Sequence, residues 1–280
     1  MISSTETEYA LFRNLAKDDL GLDWTRDRKY LIETRLGPRL ERLGIDSFTT
    51  YHQHLLRPDG AEEMQYFRNA ITTTKTGFYR NKQDFAFFSQ QVLAEIRSRV
   101  STERPTTIRF WSAGCSSGEE PFSLAFETLE GLQPEARGRT ALDLRILGSD
   151  VNTDVLAIGE NALYLDYQME GLPDFVRTRY FKRAPGSDRA AHQVVNEVRS
   201  RVHYRHFNLL DRRYPIATRF QVIFCRNVLY YLDRKLRQSL LNRLCGYLLP
   251  GGWLFLGNVE TGYSVAGMQK IHPNIFQKTR

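Results

Sequence analysis

The chain has 280 residues, of which 41% are hydrophobic and 25% are charged, and this composition is typical of a soluble globular protein. The length suits one large domain with a small one. No run approaches the roughly 20 apolar residues that span a bilayer, and the first residues do not resemble a signal peptide. The net charge of +7 favours an acidic partner, which could be nucleic acid, an anionic membrane surface or an acidic protein face.

The first seventy residues are predicted to be helical, with almost no strand signal. Apolar residues recur at helical spacing over residues 5–20, 26–43, 47–57 and 61–71. Short breaks such as residues 44–46 (GID) and 58–60 (PDG) separate these segments. We therefore predict an all-helical N-terminal domain over residues 1–72.

The second predicted helix carries four arginines on one narrow stripe, beside an apolar stripe. The arginine stripe consists of residues spaced 7, 4 and 3 apart, which are Arg28, Arg35, Arg39 and Arg42. The acidic residues Asp27, Glu33 and Glu41 lie elsewhere on the helical wheel. A row of charges is often only a solvated face, but this separation favours a docking surface for an acidic helix or for nucleic acid.

From about Thr106 the pattern changes to short β-prone runs that alternate with helical segments. These runs cover residues 107–111, 142–147, 220–224 and 253–256. Such alternation predicts a wound α/β sheet, which we assign to a second domain over residues 73–280.

Residues 171–208 fit the alternation poorly. They contain short runs at residues 179–182, 193–198 and 202–207 around the turn-prone residues 185–188 (PGSD). We interpret this segment as a small antiparallel β insertion at about residues 171–201, ahead of the next core strand.

A strand followed by a loop of small residues and then a helix spans residues 110–121 (FWSAGCSSGEEP). This arrangement lets a nucleotide-like ligand approach the backbone at the head of an α/β sheet. The loop is not GxGxxG, which argues against a dinucleotide, and Glu119 and Glu120 would repel a phosphate. A ligand with hydroxyls, an amine or a positive centre would suit the two glutamates, and S-adenosylmethionine has all three.

The next predicted strand ends at Asp150, where folds of this kind bind ribose hydroxyls. Asp150 could instead cap the following helix, and Asn152 could share the two roles. Further on, residues 224–233 follow a buried strand, and residues 248–257 form a helix end, a Pro-Gly-Gly turn and a late strand. This last arrangement recurs in class I methyltransferases.

Three cysteines, Cys115, Cys225 and Cys245, form neither a CxxC pair nor a Cys/His cluster. We therefore expect reduced thiols, no metal site and a cytoplasmic location.

Five motifs occur in the order typical of the chemotaxis receptor methyltransferase (CheR) family. They are residues 76–80 (TGFYR), 111–121 (WSAGCSSGEEP), 149–152 (SDVN), 208–210 (NLL) and 224–228 (FCRNV). The chain resembles that family over nearly its whole length. The resemblance implies an α/β fold, a class I methyltransferase (Rossmann-like) sheet with a small antiparallel β insertion, preceded by a small all-helical N-terminal domain.

The resemblance also implies a protein-glutamate O-methyltransferase. Such an enzyme transfers a methyl group from S-adenosylmethionine to glutamate side chains of chemoreceptors (methyl-accepting chemotaxis proteins) in sensory adaptation. The products are glutamyl methyl esters and S-adenosylhomocysteine. Carried over position by position, the family's cofactor contacts fall on Thr76, Arg80, Glu120, Asp150, Asn208, Leu209, Asn227 and Val228.

Two departures from the family pattern concern the same pocket. The family usually has asparagine at the position of Thr74, whose hydroxyl can still donate or accept a hydrogen bond, so Thr74 is kept among the cofactor contacts. After the late strand the family tends to have Gly-His-Ser-Glu, where this chain has Gly257-Asn258-Val259-Glu260. The second departure leaves the adenine or substrate edge of the pocket open.

Methyl transfer to a glutamate needs no general base, because a glutamate side chain with a pKa of about 4.3 is already ionised at neutral pH. We assign Arg80 to orienting the incoming carboxylate or gripping the cofactor beside the methyl group, since its guanidinium offers a planar fork of donors. An inter-domain salt bridge is the alternative role for Arg80. Tyr231 is assigned to the wall of the methyl site, with a buried structural tyrosine as the alternative.

The expected partner is the cytoplasmic helical bundle of chemoreceptors, bound by a monomer. In some family members the β insertion captures a receptor C-terminal tail as an added strand, and Gly186 lies in a plausible docking loop. Alternatives are a methyltransferase for a small molecule or another protein, a cofactor-binding domain without turnover, and an RNA-binding or RNA-methylating protein. The basic helix and β insertion favour a protein substrate, and no familiar nucleic-acid module is present.

Overall fold

Four helices form the N-terminal part of the chain in the computed structural model, which describes residues 2–24, 28–99, 107–136, 142–184 and 191–279. They are α1 (Glu6–Leu20), α2 (Lys29–Leu43), α3 (Phe48–Leu55) and α4 (Ala61–Ile71). Helix α1 begins with a capping box between Thr5 and Glu8, and α2 ends at Gly44 with φ +67°. The four predicted helices are confirmed, with ends that differ by up to three residues.

The apolar faces of these helices meet in a core of their own, built around the fully buried rings of Phe12, Phe48 and Phe67. A connecting segment follows, in which α5 (Lys82–Phe87), a π-helix (Phe88–Val92) and α6 (Leu93–Arg97) run on without a break.

The α/β part alternates strands and helices as predicted. Its helices are α7 (Glu119–Ala136), α8 (Thr153–Asn161), α9 (Asp174–Tyr180), α10 (Asn196–Arg199) and α11 (Arg234–Tyr247). Its strands are β1 (Thr107–Ala113), β2 (Asp143–Asp150), β3 (Leu163–Leu165), β4 (Phe181–Arg183), β5 (Ala191–Val194), β6 (Val202–His206), β7 (Phe220–Cys225), β8 (Leu248–Leu256), β9 (Met268–His272) and β10 (Ile275–Lys278). Short 3-10 helices lie at Asp166–Met169 and Leu229–Tyr231.

Seven strands form the main sheet in the order β6-β2-β1-β7-β8-β10-β9. Strands β6, β2, β1, β7 and β8 pair in parallel, whereas β10 is antiparallel to both of its neighbours. The chain moves outward from β1 in one direction through β2 and in the other through β7, so the topological switch lies between β1 and β7. In open α/β sheets, ligands bind beyond the carboxyl ends of the strands at this point.

Both faces of the sheet are covered. Helix α7 and the connecting segment pack on one face, around rings such as Phe88 and Phe224. Helix α11 and the chain before β7 pack on the other face, around Trp111 and Leu241. The three cysteines are free and buried within the fold.

The small antiparallel sheet has the order β3-β5-β4, which confirms the β insertion as a feature of the fold. One detail of the prediction is wrong, because the small sheet starts at Leu163, ahead of residue 171. The run at residues 202–207, just after the predicted insertion, contains β6, which pairs in parallel with β2 in the main sheet. The turn at residues 185–188, with Gly186, lies outside the described residues.

Candidate active site

A cleft with an empty volume of about 1100 Å³ lies between the helical part and the carboxyl ends of β1, β2 and β7. Its position is the topological switch of the sheet. Leu20, Leu22 and Trp24 cover it from the side of the helical part, and Trp24 is 7% exposed. This cleft is therefore the natural place for a ligand that must be shielded from water.

Gly114 forms the floor of the cleft where β1 ends. Its φ is +77°, and a Cβ there would lie 2.5 Å from a methyl carbon of Val228. The amides of Gly114 and Cys115 both donate to the carbonyl of Ser149, at 2.8 and 2.9 Å. The small residues of this loop therefore serve close packing of β1, β2 and the chain after β7 under the cleft.

Asp150 faces the cleft from the end of β2. Its carboxylate accepts hydrogen bonds from the amides of Ser116 at 2.9 Å and Asn152 at 3.0 Å. Asn152, not Asp150, caps α8, because its side chain accepts from the amides of Asp154 and Val155. An ionised carboxylate has acceptor sites for further donors, so Asp150 is available to ligand hydroxyls.

Burial raises the pKa of the Asp150 carboxyl, against the effect of the amide hydrogen bonds from Asn152 and Ser116, which favour the ionised form. A ligand that hydrogen-bonds to the carboxylate would favour that ionised form further.

Arg80 lies at the edge of the cleft, and one of its guanidinium nitrogens donates to the carbonyl of Lys75 at 2.9 Å. It makes no ion pair with any residue that the structure describes, so the alternative of an inter-domain salt bridge is not observed. The residues on either side of Arg80 both have positive φ values, 50° at Tyr79 and 60° at Asn81.

Arg226 is a functional candidate that the sequence reasoning left without a role, although it lies inside a quoted motif. It is 5% exposed, and its guanidinium makes ion pairs with Glu120 at 2.7 Å and with Asp84 at 2.9 Å. The second oxygen of Glu120 accepts from the hydroxyl of Ser112 at 2.7 Å. Glu120 thus lines the cleft with both carboxylate oxygens already bonded inside the protein.

Most of the predicted cofactor residues come together in this cleft. Those that line it are Thr76, Arg80, Glu120, Asp150, Asn208, Leu209, Asn227 and Val228. Thr74 does not line it: its side chain is exposed and its carbonyl accepts from the hydroxyl of Ser116. The prediction of a cofactor contact for Thr74 is therefore not supported by its position.

Asn208 and Tyr231 connect the cleft to the helical part. The Asn208 side-chain amide donates to the carbonyl of Asp19 at 2.8 Å, and the carbonyl of Tyr231 accepts from the amide of Asp23 at 2.7 Å. The Tyr231 ring packs on Tyr230 with 3.9 Å between centroids and lines the cleft.

Glu260 holds the chain after β7 from behind the cleft. Its carboxylate accepts from the amides of Gly257 at 2.7 Å, Asn227 at 2.9 Å and Tyr230 at 3.3 Å. Burial raises its pKa, and these amide hydrogen bonds oppose the shift. Residues 257–260 do not line the cleft, so the departure from the family pattern concerns support of the loop rather than a wall of the pocket.

The four arginines of α2 do not form one free basic ridge. Arg28 lines the cleft, and Arg35 donates to the carbonyls of Ala70 and Thr72 at the end of α4. Arg39 is paired with Glu63 at 2.6 Å, and only Arg42 is exposed. The expectation that all four arginines form one docking stripe is therefore wrong, because α4 packs against α2 and residues 63–72 bind the side chains of Arg35 and Arg39.

Neither a metal cluster nor a membrane-crossing helix is found in the part of the chain that the structure describes. There, no group of three or more His, Cys, Asp or Glu side chains could hold a metal ion. No helix within the same residues is both long and apolar enough to cross a membrane.

Comparisons with known proteins agree with this arrangement. Residues 74–274 match the family model "CheR methyltransferase, SAM binding domain", and residues 7–72 match "CheR methyltransferase, all-alpha domain". A chemotaxis protein methyltransferase of Borreliella burgdorferi is 28% identical over 99% of this chain and 96% of its own length. Chemotaxis protein methyltransferase 2 of Pseudomonas aeruginosa is 35% identical over 86% of this chain and 81% of its own length.

A third relative, the chemotaxis protein methyltransferase of Salmonella typhimurium, is 35% identical over 85% of this chain and 77% of its own length. The two family models together cover most of the chain, and the second of them corresponds to the four-helix part. The chain therefore belongs to the CheR methyltransferase family, whose enzymes use S-adenosylmethionine.

Proposed function

We propose that this chain transfers the methyl group of S-adenosylmethionine to glutamate side chains of chemoreceptors, giving glutamyl methyl esters and S-adenosylhomocysteine. The observation that carries the proposal is the cleft at the carboxyl ends of β1, β2 and β7, with Asp150 on one side and Arg80 at its edge. The names of the curated relatives, which are chemotaxis protein methyltransferases, supply the substrate class.

The residues of the cleft fit S-adenosylmethionine. Asp150 has free acceptor capacity for the ribose hydroxyls, and the turn at Gly114 leaves no room for a side chain beneath the ligand. Glu120 contributes negative charge to the wall, which suits a ligand with an amine and a positive centre. Thr76, Asn208, Leu209, Asn227 and Val228 complete the proposed contacts.

When bound, S-adenosylmethionine supplies an electrophilic methyl group on a sulfonium. The acceptor carboxylate is already ionised at neutral pH, so the chain needs no histidine or cysteine to remove a proton. Charge is neutralised in the reaction, and a site that excludes water favours it. The buried Trp24 over the cleft serves this purpose.

Arg80 is the group that we assign to the acceptor carboxylate. It lies at the cleft edge, and a guanidinium can bind both oxygens of a carboxylate while it keeps its bond to Lys75. Tyr231 lines the same cleft and is assigned to the wall of the methyl site. Both assignments follow from position and chemistry together.

The proposed partner is the Glu-rich helical bundle of a chemoreceptor. Arg42 is exposed at the end of α2 and Arg28 lies at the cleft, and among the described contacts neither side chain bonds to α4. We also propose that a receptor tail adds to an edge strand of the small sheet and that the enzyme is a monomer in the cytoplasm. The proposed domains are residues 1–72 and residues 73–280. The separate core of α1–α4 supports that division.

The test is methylation of a purified receptor cytoplasmic bundle with methyl-labelled S-adenosylmethionine, followed by mass spectrometry. We expect base-labile label on glutamate side chains. Arg80→Ala should lower turnover about 100-fold, as expected for lost orientation, with little change in unfolding free energy. Arg80→Lys should not restore it, because a point charge replaces a planar fork.

Arg57→Ala is the matched control and should behave as wild type, because the Arg57 side chain is 60% exposed and its one ion pair among the described residues is with Asp59. Label that resists base, or label on a small molecule or RNA, would overturn the proposed substrate. An Arg80→Lys variant with the wild-type rate would overturn the role of Arg80.

A further inference from the structure

Arg226 lies in the wall of the cleft, at the centre of a buried network. It follows β7 directly, its side chain is 2% exposed, and its guanidinium lies 5.3 Å from the ring centroids of both Phe85 and Phe224. One terminal nitrogen donates to the backbone carbonyl of Arg80 at 2.6 Å and to Asp84 at 2.9 Å, while Nε donates to Glu120 at 2.7 Å. One side chain therefore connects β7, α5 and α7 to the turn that carries Arg80.

That turn has a demanding backbone. Tyr79 and Asn81 both lie in the left-handed region, on either side of Arg80. Non-glycine residues keep such conformations where surrounding contacts enforce them. The described contacts include two at this turn: the Tyr79 amide donates to the hydroxyl of Ser123 at 3.0 Å, and the Arg80 carbonyl accepts from Arg226.

The charges of the network explain why arginine is used. Arg226 is one cation between two buried carboxylates, Asp84 and Glu120. Asp84 also accepts from the side-chain amide of Asn274 at 3.0 Å, and Glu120 accepts from Ser112. The planar guanidinium reaches three acceptors in fixed directions, whereas a lysine ammonium on the same β7 end would be a single point of charge.

We propose that Arg226 is a positioning residue for methyl transfer, which sets the place of Arg80 at the cleft edge through the Arg80 carbonyl while it fixes Glu120 in the cleft wall. This inference rests on the proposed function and on the role of Arg80 in it. Arg226 acts through these two residues and needs no contact with the acceptor carboxylate.

The first experiment compares Arg226→Lys with wild type in the full chain, by receptor methylation, cofactor titration and thermal unfolding. We expect kcat to fall about 10- to 100-fold, as for a displaced catalytic group, with KM for the receptor and cofactor affinity changed much less. Arg145→Lys is the matched control, because Arg145 lies on β2 with a side chain 61% exposed. It should retain the wild-type kcat.

The second variant covers the case in which Arg226→Lys does not fold. Arg226→Lys/Asp84→Asn keeps one positive charge opposite one buried carboxylate but still lacks the guanidinium bond to the Arg80 carbonyl. A folded variant of either kind with the wild-type kcat would overturn the inference. A purely structural role would lower the unfolding temperature and leave kcat of the folded fraction unchanged, which also overturns it.

The proposed function has its own, separate readout. If wild type itself forms no glutamyl ester, the proposed function fails and the positioning role fails with it. If wild type is active, Arg80→Ala is inactive and Arg226→Lys retains full kcat, only the positioning role fails.

Discussion

The pair between Arg39 and Glu63 should stabilise the protein far more than the exposed Arg42, although both arginines lie on one side of α2. Arg39 donates from Nε and a terminal nitrogen to both oxygens of Glu63, at 2.6 to 3.2 Å. The hydroxyl of Tyr51 donates to the same carboxylate at 2.6 Å. The Glu63 side chain is 8% exposed and that of Arg39 is 21% exposed.

Arg39→Met removes the cation and leaves a nearly buried carboxylate with Tyr51 as its remaining strong donor. Breaking a buried pair in this way costs about 3–5 kcal/mol, and partial exposure of Arg39 reduces the expected loss to about 2–4 kcal/mol. Arg42→Met, the matched control, should stay within about 0.5 kcal/mol of wild type. Urea unfolding followed by circular dichroism measures both.

The stability that the pair between Arg39 and Glu63 contributes should depend on pH. Burial opposes ionisation of Glu63, but hydrogen bonds from Arg39 and Tyr51 hold its pKa below the ordinary value of 4.5. A lowered folded-state pKa contributes stability that is present above pH 4.5 and is lost as the pH falls through the folded value. The gap between Arg39→Met and wild type should therefore shrink in acid. Equal unfolding free energies for Arg39→Met and Arg42→Met at neutral pH would refute this reasoning.

Two further predictions concern the ligands. Asp150→Asn should weaken S-adenosylmethionine binding by about 1.5–3 kcal/mol in calorimetry. Because burial raises the pKa of Asp150 above 3.8, the affinity of wild type should begin to fall at a higher pH than it would with an ordinary aspartate. The variant should lose this pH dependence. An unchanged affinity would remove Asp150 from the site. Arg42→Glu should raise the apparent KM for receptor most at low ionic strength with cofactor affinity unchanged, and equal KM values at every salt concentration would show that Arg42 is only solvated.

Much of the fold follows from periodicity in the sequence. Helical spacing gave the four N-terminal helices, and the alternation after Thr106 gave the core strands that carry the cleft. Strand β6 was not among the predicted core strands, because its alternation of buried and exposed residues suits parallel and antiparallel pairing alike. Strand β9 had no signal, since four of its five residues are exposed and the fifth is half-buried.

Residues of the candidate site were predictable where a polar or charged residue stands at the end of a predicted strand. Asp150 is such a case, since an acidic residue at the tip of β2 must face the cleft unless it caps a helix, and Asn152 does the capping. Arg226 was not predictable, because its partners Arg80, Asp84 and Glu120 lie 146, 142 and 106 residues away. Sequence spacing carries no information on contacts of that range.

The arginines of α2 show the same limit on a smaller scale. A helical wheel correctly puts Arg35 and Arg39 on one side of α2, but it cannot tell solvent from a neighbouring helix. The carbonyls at the end of α4 and the carboxylate of Glu63 take up both side chains. The proposed docking surface is consequently smaller than the composition of the helix suggests.

A crystal structure of the protein with S-adenosylhomocysteine would show where the cofactor binds. We expect the ligand in the cleft at the ends of β1, β2 and β7, with its ribose hydroxyls on the carboxylate of Asp150 and its sulfur on the side of Arg80 and Tyr231. A ligand bound outside this cleft, or bound in it with the ribose away from Asp150, would contradict the proposed cofactor site.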